Sequence, residues 1–188
     1  MTVTLFFEDF DGNGIGFASG YRFDTNPFGV WDVGGNAPPG FGQWMRFSGD
    51  DPAEPNLTPG TGGYAAIRIA DTPDFGDNTY WMVSPLIDTR NHTDLALALD
   101  LHYRASGSPQ EATLRILMRR VGESPVTLAD INQATTGSHE TSEHMSWDIA
   151  PGADFLQFAF MYSNTSMNPT PASIQLDNIR LTGTTACS

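Results

Sequence analysis

The sequence contains no lysine: its nine basic residues are all arginine, set against 22 acidic ones, for a formal net charge of -13. A surface of that sign repels phosphate backbones and anionic lipid headgroups, which argues against nucleic-acid and membrane partners. Cysteine is nearly as scarce. The single Cys187, next to the C-terminal residue, excludes an internal disulfide, a cysteine-based zinc site and a CxxC redox pair, and reads as a tail residue. No apolar run is long enough to span a bilayer. The opening MTVTLFFEDFDG lacks the basic head and small-residue cleavage site of a signal peptide. The chain is therefore expected either to stay in the cytosol or, as the favoured reading, to be one module of a longer secreted or surface protein. There, cations would screen its acidic self-repulsion.

Long helical periodicity is missing too. With 19 Gly and 13 Pro, the sequence is punctuated too often for long helices, and alternation takes its place. Leu95, Leu97, Leu99, Leu101 and Tyr103 alternate with Ala96, Ala98, Asp100, His102 and Arg104. Leu114, Ile116 and Met118 do the same, as do Leu156, Phe158, Phe160 and Tyr162. Period-two patterning of this kind marks strands. Val3, Leu5 and Phe7 open the chain as a strand. Further short strands are expected near 21–23, 30–33, 44–47, 65–69, 80–83 and 145–149. Residues 126–133 read as one helical turn, 134–144 as a loop and 49–63 as a long acidic loop. About ten to twelve strands with no convincing helix predict an all-β chain, an antiparallel β-sandwich of jelly-roll type. It is expected to form one domain over residues 1–183, followed by a tail at 184–188.

The closing stretch, ASIQLDNIRLT, carries the most specific signal. Ile174 and Leu176 alternate on one parity, Ile179 and Leu181 on the other. A strand changes the face it buries only if a residue is inserted, so a β-bulge is predicted at Asp177 and Asn178. The plainer alternative is that the strand ends or twists there.

Five pieces in this order resemble the bacterial cleaved-adhesin family and the wider MAM-like group of extracellular jelly rolls. They are FFEDFDG (6–12), YWMVSPLIDT (80–89), LDLHYRASG (99–107), FLQFAFMYSN (155–164) and IQLDNIRL (174–181). Residues 17–63 follow no family pattern, His102 stands where an acidic residue is frequent, and the disulfides of the animal MAM domains are absent. The resemblance implies a secreted or surface-attached module without catalysis, often holding structural Ca²⁺ through acidic residues of its first and last strands.

The residues give that ion an independent basis. Ca²⁺ takes six to eight hard oxygen ligands from carboxylates, amides and carbonyls. If the terminal strands lie side by side, Glu8 and Asp177 can face one ion, with Asp9, Asp11, Asn13 and Asn178 near enough in sequence to complete the shell. The spacing of Asp9, Asp11 and Asn13 begins like an EF-hand loop, but Gly20 occupies the twelfth position, where that loop needs Glu. The alternative is an ordinary solvated acidic surface. A second acidic group, Asp71, Asp74, Asp77 and Asn78, reads as turn residues.

The aromatic-rich region 17–64 suggests recognition, because sugar rings stack on exposed aromatic faces while polar neighbours bond the hydroxyls. Trp31, Trp44, Phe28, Phe41 and Tyr64, with Arg46 alongside, are the candidates; the competing reading makes each of them core. Trp81 and Trp147 are expected in the core. No G-x-S-x-G elbow, HExxH, P-loop or dinucleotide fingerprint appears. The expectation is a non-catalytic adhesion module with structural Ca²⁺, whose partners are a host-surface protein or glycan and neighbouring domains of a longer chain. The alternative is a carbohydrate-binding module of a polysaccharide-acting enzyme.

Overall fold

The computed structural model describes residues 1–11, 16–19, 30–35, 43–48, 56–68, 78–104, 112–138, 140–164 and 173–185. Among these the elements run β1 (Thr2–Glu8), β2 (Gly16–Ser19), β3 (Val30–Gly35), β4 (Gln43–Phe47), β5 (Tyr64–Arg68), β6 (Asn78–Val83) and β7 (Ile87–Asp88). After them come β8 (His92–Arg104), β9 (Ala112–Arg120), β10 (Val126–Ile131), α1 (Gln133–Thr136), β11 (Glu140–Ile149), β12 (Phe155–Asn164) and β13 (Ser173–Thr185). The strands form two sheets. The first has the order β11-β8-β13-β5-β4, with β1 also on β13; the second has the order β10-β9-β12-β6-β3-β2, with β7 also on β12. The chain is thus an all-β sandwich of the kind its alternation predicts. One ladder departs from the antiparallel rule: β2 pairs with β3 in parallel.

The core lies between the sheets and is filled by the alternating positions. Leu95, Leu97, Leu99, Leu101 and Tyr103 from β8 meet Leu156, Phe158, Phe160 and Tyr162 from β12, all of them buried. Because successive strand residues face opposite ways, one set points inward and the other out. Pro85 cannot donate to a ladder. There Ser84 holds the chain instead: its N–H donates to the Phe158 carbonyl at 2.8 Å and its Oγ accepts from Phe158 N–H at 2.9 Å.

β13 is the spine of the first sheet. One edge pairs with β8 along its length. The other is shared, with β5 taking residues 173–176 and β1 taking 179–184. The parity switch is a β-bulge: Asp177 opposes Asp100 and Arg180 opposes Ala98, so Asn178 and Ile179 face Leu99 alone. Asn178 accommodates it with φ at 49°, a region that Asn tolerates better than most residues. The bulge lies where β1 ends and β5 begins.

Three expectations need correction. Residues 126–131 are strand β10, an edge strand on β9, and the helical turn comes later, at Gln133–Thr136. That turn is fixed by local chemistry. The Asn132 side chain accepts from Thr135 N–H, Thr135 reciprocates to the Asn132 backbone, and Gly137 closes the turn at φ 69°. Nor does the domain end at 183, since Thr184 pairs with Thr2 and the Thr185 N–H donates to the Met1 carbonyl at 3.2 Å. Lastly, β11 is ten residues long, whereas a short strand at 145–149 was expected. Residues 21–23 and Cys187 lie outside the described residues.

Candidate functional site

The aromatic candidates are the first to be re-placed. Trp31, Trp44 and Tyr64 are 0%, 1% and 2% exposed, so none of them offers a face to a sugar. Trp31 sits between the sheets against the rings of Phe6, Phe10 and Phe160. Tyr64 stacks on Phe47 at 5.2 Å. Arg46 donates its Nε to the Phe10 carbonyl at 2.8 Å, tying β4 to the segment after β1. These side chains are structural because the strands that carry them turn them into packed layers, which composition alone does not reveal. Phe28 and Phe41 lie outside the described residues.

The acidic candidates divide into two groups. At the seam between β1 and β5, Asp177 is 0% exposed. Its Oδ2 accepts from Asn56 Nδ2 at 2.9 Å and its Oδ1 from Asn178 N–H at 2.6 Å. Asn178 Nδ2 reaches Asp100 Oδ2 at 2.8 Å, and the other oxygen of Asp100 meets His144 Nδ1 at 2.8 Å. Asp11 accepts from Gly63 N–H across the same seam. Glycines make room for these groups: a Cβ at Gly60 would collide with the Asp177 carboxylate, and one at Gly62 with that of Asp11. Burial, reinforced by the nearby charges of Asp100 and Asp11, pushes the Asp177 carboxyl up to about 6 despite the hydrogen bonds from Asn56 and Asn178.

Glu8 stands apart. It lies on β1 opposite Ile179, a core residue, and is 2% exposed. Its Oε1 accepts from Phe10 N–H at 2.9 Å and its Oε2 from Trp31 Nε1 at 3.1 Å. The carboxylate is therefore turned toward the second sheet. Asp9 caps its own turn, its Oδ1 accepting from Asp11 N–H at 3.0 Å; Asn13 lies outside the described residues. Among the described residues no three His, Cys, Asp or Glu gather closely enough to hold a metal ion. An ion at the seam would therefore draw on the amide, hydroxyl and carbonyl oxygens around Asp177 as well. Asn56 sets its Nδ2 against Asp177 Oδ2 and the Gly62 carbonyl and keeps its Oδ1 on Thr58, so an ion there would need that amide turned; Asn56, Thr58 and the Gly62 carbonyl would then offer the hard oxygens that Ca²⁺ takes.

On the outer face of the second sheet one more expectation is corrected: Trp81, expected in the core, lies here. Tyr80 and Met82 face the core, so Trp81 between them faces out and is half-buried. Cross-strand pairing sets it in one transverse row: Asp130 opposite Arg115, Arg115 opposite Met161, Met161 opposite Trp81, Trp81 opposite Gly34. At the usual strand spacing the row is about 19 Å long. Arg115 Nε donates to Asp130 Oδ1 at 2.6 Å, an exposed ion pair. Beside the row, Thr79 and Ser163 bring their hydroxyls within 3.4 Å of each other. The signal was in the alternation of YWMV: with Tyr80 and Met82 inward, Trp81 has to be outward.

His102, on the outer face of the first sheet, is buried, which holds its pKa below the usual imidazole value. Its Nδ1 meets Ser142 Oγ at 2.8 Å, and its Nε2 lies 4.0 Å from Glu140. No helix among the described residues is long and apolar enough to cross a membrane.

No protein-family model and no curated protein matches this chain. Solved structures do. TmCBM61, in complex with β-1,4-galactotriose, aligns over 85% of this chain and 92% of its own, at 10% identity and a TM-score of 0.51. TmCBM27, a carbohydrate-binding module with specific mannan recognition, aligns over 98% and 99% at 11% identity and a TM-score of 0.49. A family 11 carbohydrate-binding module from Clostridium thermocellum, in complex with a β-1,3-1,4-mixed-linked tetrasaccharide, aligns over 100% and 97% at 13% identity and a TM-score of 0.45. These neighbours are carbohydrate-binding modules, not adhesion or MAM-like domains. At such identities the likeness is one of fold, and it is TmCBM61 whose sandwich this chain is similar to.

Proposed function

We propose that this chain is a non-catalytic glycan-binding module of a larger secreted or surface protein, and that its ligand lies along the outer face of the second sheet. The observation that carries the reading is the row from Trp81 to Asp130. A half-buried indole offers a face for stacking on the C–H face of a pyranose ring. The Arg115–Asp130 pair offers donors and acceptors for vicinal hydroxyls, with Thr79 and Ser163 alongside. From Trp81 to Asp130 the row spans about 14 Å, longer than one pyranose ring, which suits a polysaccharide better than a monosaccharide. A Ca²⁺ ion at the seam completes the proposal. It would neutralise Asp11, Asp100 and Asp177 and hold β1 and β5 to the bulge of β13, so its contribution is stability, with no direct part in recognition.

The test is calorimetry and affinity electrophoresis against soluble β-1,4-galactan, mannan and mixed-linked β-glucan. At least one of them is expected to bind, and Trp81→Ala to weaken it by about tenfold or more, as loss of a central aromatic contact does. No polysaccharide is expected to be hydrolysed. Adhesion to a protein surface, indifferent to Trp81→Ala and with no glycan bound, would replace this reading with the adhesion one. Turnover of any of the three would overturn both.

A further inference from the structure

We infer that Gly34 is a positioning residue for glycan recognition, the floor that sets the attitude of the Trp81 indole; the inference rests on the glycan-binding reading above. Gly34 lies within β3, directly opposite Trp81 on β6. Its backbone does not need glycine: it is not among the residues with positive φ, so any L-residue could adopt its conformation. Glycine inside a strand weakens the strand, since it loses more conformational freedom on folding and packs no side chain. What it supplies here is space. A Cβ at this position would lie 2.7 Å from Trp81 Nε1, 2.9 Å from Cε2 and 3.1 Å from Cζ2. Atoms of both rings of the indole therefore rest on the β3 backbone where a side chain would otherwise stand. Any other residue has to lift or turn the ring.

The attitude of the ring decides what it can bind. The indole is seated on β3 by its Nε1–Cε2–Cζ2 edge, and that seat fixes which surface it turns to a sugar running along the row toward Met161 and Arg115. A ring lifted off that seat turns a different surface to the row and stands in the same path. Gly35 makes a similar allowance for Tyr80, where a Cβ would lie 2.9 Å from Cδ1, but that ring is buried in the core. Of the two adjacent glycines, then, one serves packing and the other serves the outer face.

The experiment measures binding of soluble β-1,4-galactan, mannan and mixed-linked β-glucan to wild type, Gly34→Val, Gly34→Ala, Trp81→Ala and the double variant Gly34→Val/Trp81→Ala. The indole Nε1–H resonance of Trp81 is followed by ¹H–¹⁵N spectra of each. Gly34→Val is expected to weaken binding about tenfold, the order of a lost aromatic contact, and Gly34→Ala about threefold. Both should move the Trp81 resonance. In the Trp81→Ala background Gly34→Val should change binding no further, because the ring it displaces is gone. The milder Gly34→Ala serves as the test if the valine variant does not fold. Undiminished binding by the Gly34 variants while Trp81→Ala loses it would overturn this inference alone. So would a Gly34 effect that persists in the Trp81→Ala background. Undiminished binding by Trp81→Ala would overturn the glycan-binding face and this inference with it.

Discussion

Glu8 is where two readings of the same residue give opposite results. In the structure it is a brace. Its carboxylate is 2% exposed and accepts from Phe10 N–H at 2.9 Å and from Trp31 Nε1 at 3.1 Å. Glu8→Gln keeps one accepting oxygen but turns an amide N–H₂ toward one of the two donors. A buried hydrogen bond to a charged group contributes about 1.5–3 kcal/mol, and stranding its donor costs about 1–3 kcal/mol more. Removing a buried charge returns some of that, since the carboxylate no longer has to be desolvated. The net expectation is a loss of about 2–4 kcal/mol, which in a domain of this size lowers the melting temperature by roughly 5–15 °C. Trp31→Phe breaks the same bond from the other side, so the double variant should cost less than the two single ones added together. The assay is thermal unfolding followed by circular dichroism, with EDTA and with Ca²⁺. A brace predicts that whatever Ca²⁺ adds to the wild-type melting temperature it also adds to Glu8→Gln. An unshifted melting curve, or a variant that no longer responds to Ca²⁺ when the wild type does, would refute this reasoning and return Glu8 to the ion.

Removing the seam ion with EDTA should lower the melting temperature and Ca²⁺ should restore it, by about 2.7 kcal/mol of linkage when the ion is at a hundred times its dissociation constant. Asp177→Ala should abolish the response, and a melting curve unmoved by EDTA would remove the ion from the seam. In EDTA, Asp177 should also make the fold lose stability as pH rises. Its folded pKa, about 6, lies above the ordinary 3.8, so the folded state holds a proton that the unfolded chain has released. The loss falls between about pH 4 and 6 and amounts to about 3 kcal/mol. Asp177→Asn should flatten that limb of the stability profile; a limb unchanged in the variant would assign it to other groups. Asn132→Ala should cost about 1 kcal/mol, because the α1 cap loses its side-chain acceptor. That is a shift of roughly 2–4 °C in differential scanning calorimetry, and no shift would show that the cap holds nothing.

What the sequence disclosed was whatever a single strand records about itself. The parity change between Leu176 and Ile179 requires an extra residue whatever the rest of the chain does, and the bulge is there, one residue later than predicted, with Asn178 and Ile179 opposite Leu99. The long alternations of β8, β9 and β12 declare their inner and outer sides in the same way. Residues 126–131 were harder, because Val126 and Thr127 are exposed and the register shifts between Thr127 and Ala129. A short edge strand with a broken alternation has no period to read.

Trp31 and Glu8 were harder to place for a different reason: a side chain's surroundings depend on partners far away in sequence. Trp31 is a core residue because β3 lies in the second sheet, beside Phe160 of β12 on the same inner face and bonded to Glu8 of β1 from the first sheet. Nothing within residues 30–35 says so. Glu8 and Asp177 do come from strands that pair, as the sequence suggested, yet strand adjacency does not decide which side a carboxylate takes. Glu8 shares its face with Ile179, while Asp177 precedes the bulge and points away from the core side of Leu176. The inserted residue that the sequence revealed is what separates them. Trp81 shows the converse. It was expected in the core although the parity of Tyr80 and Met82 alone turns it outward, and the Gly34 beside its indole comes into view only once β3 lies against β6. A candidate binding residue becomes legible when its own strand's parity is joined to the residue opposite it, and only the second of these required the fold.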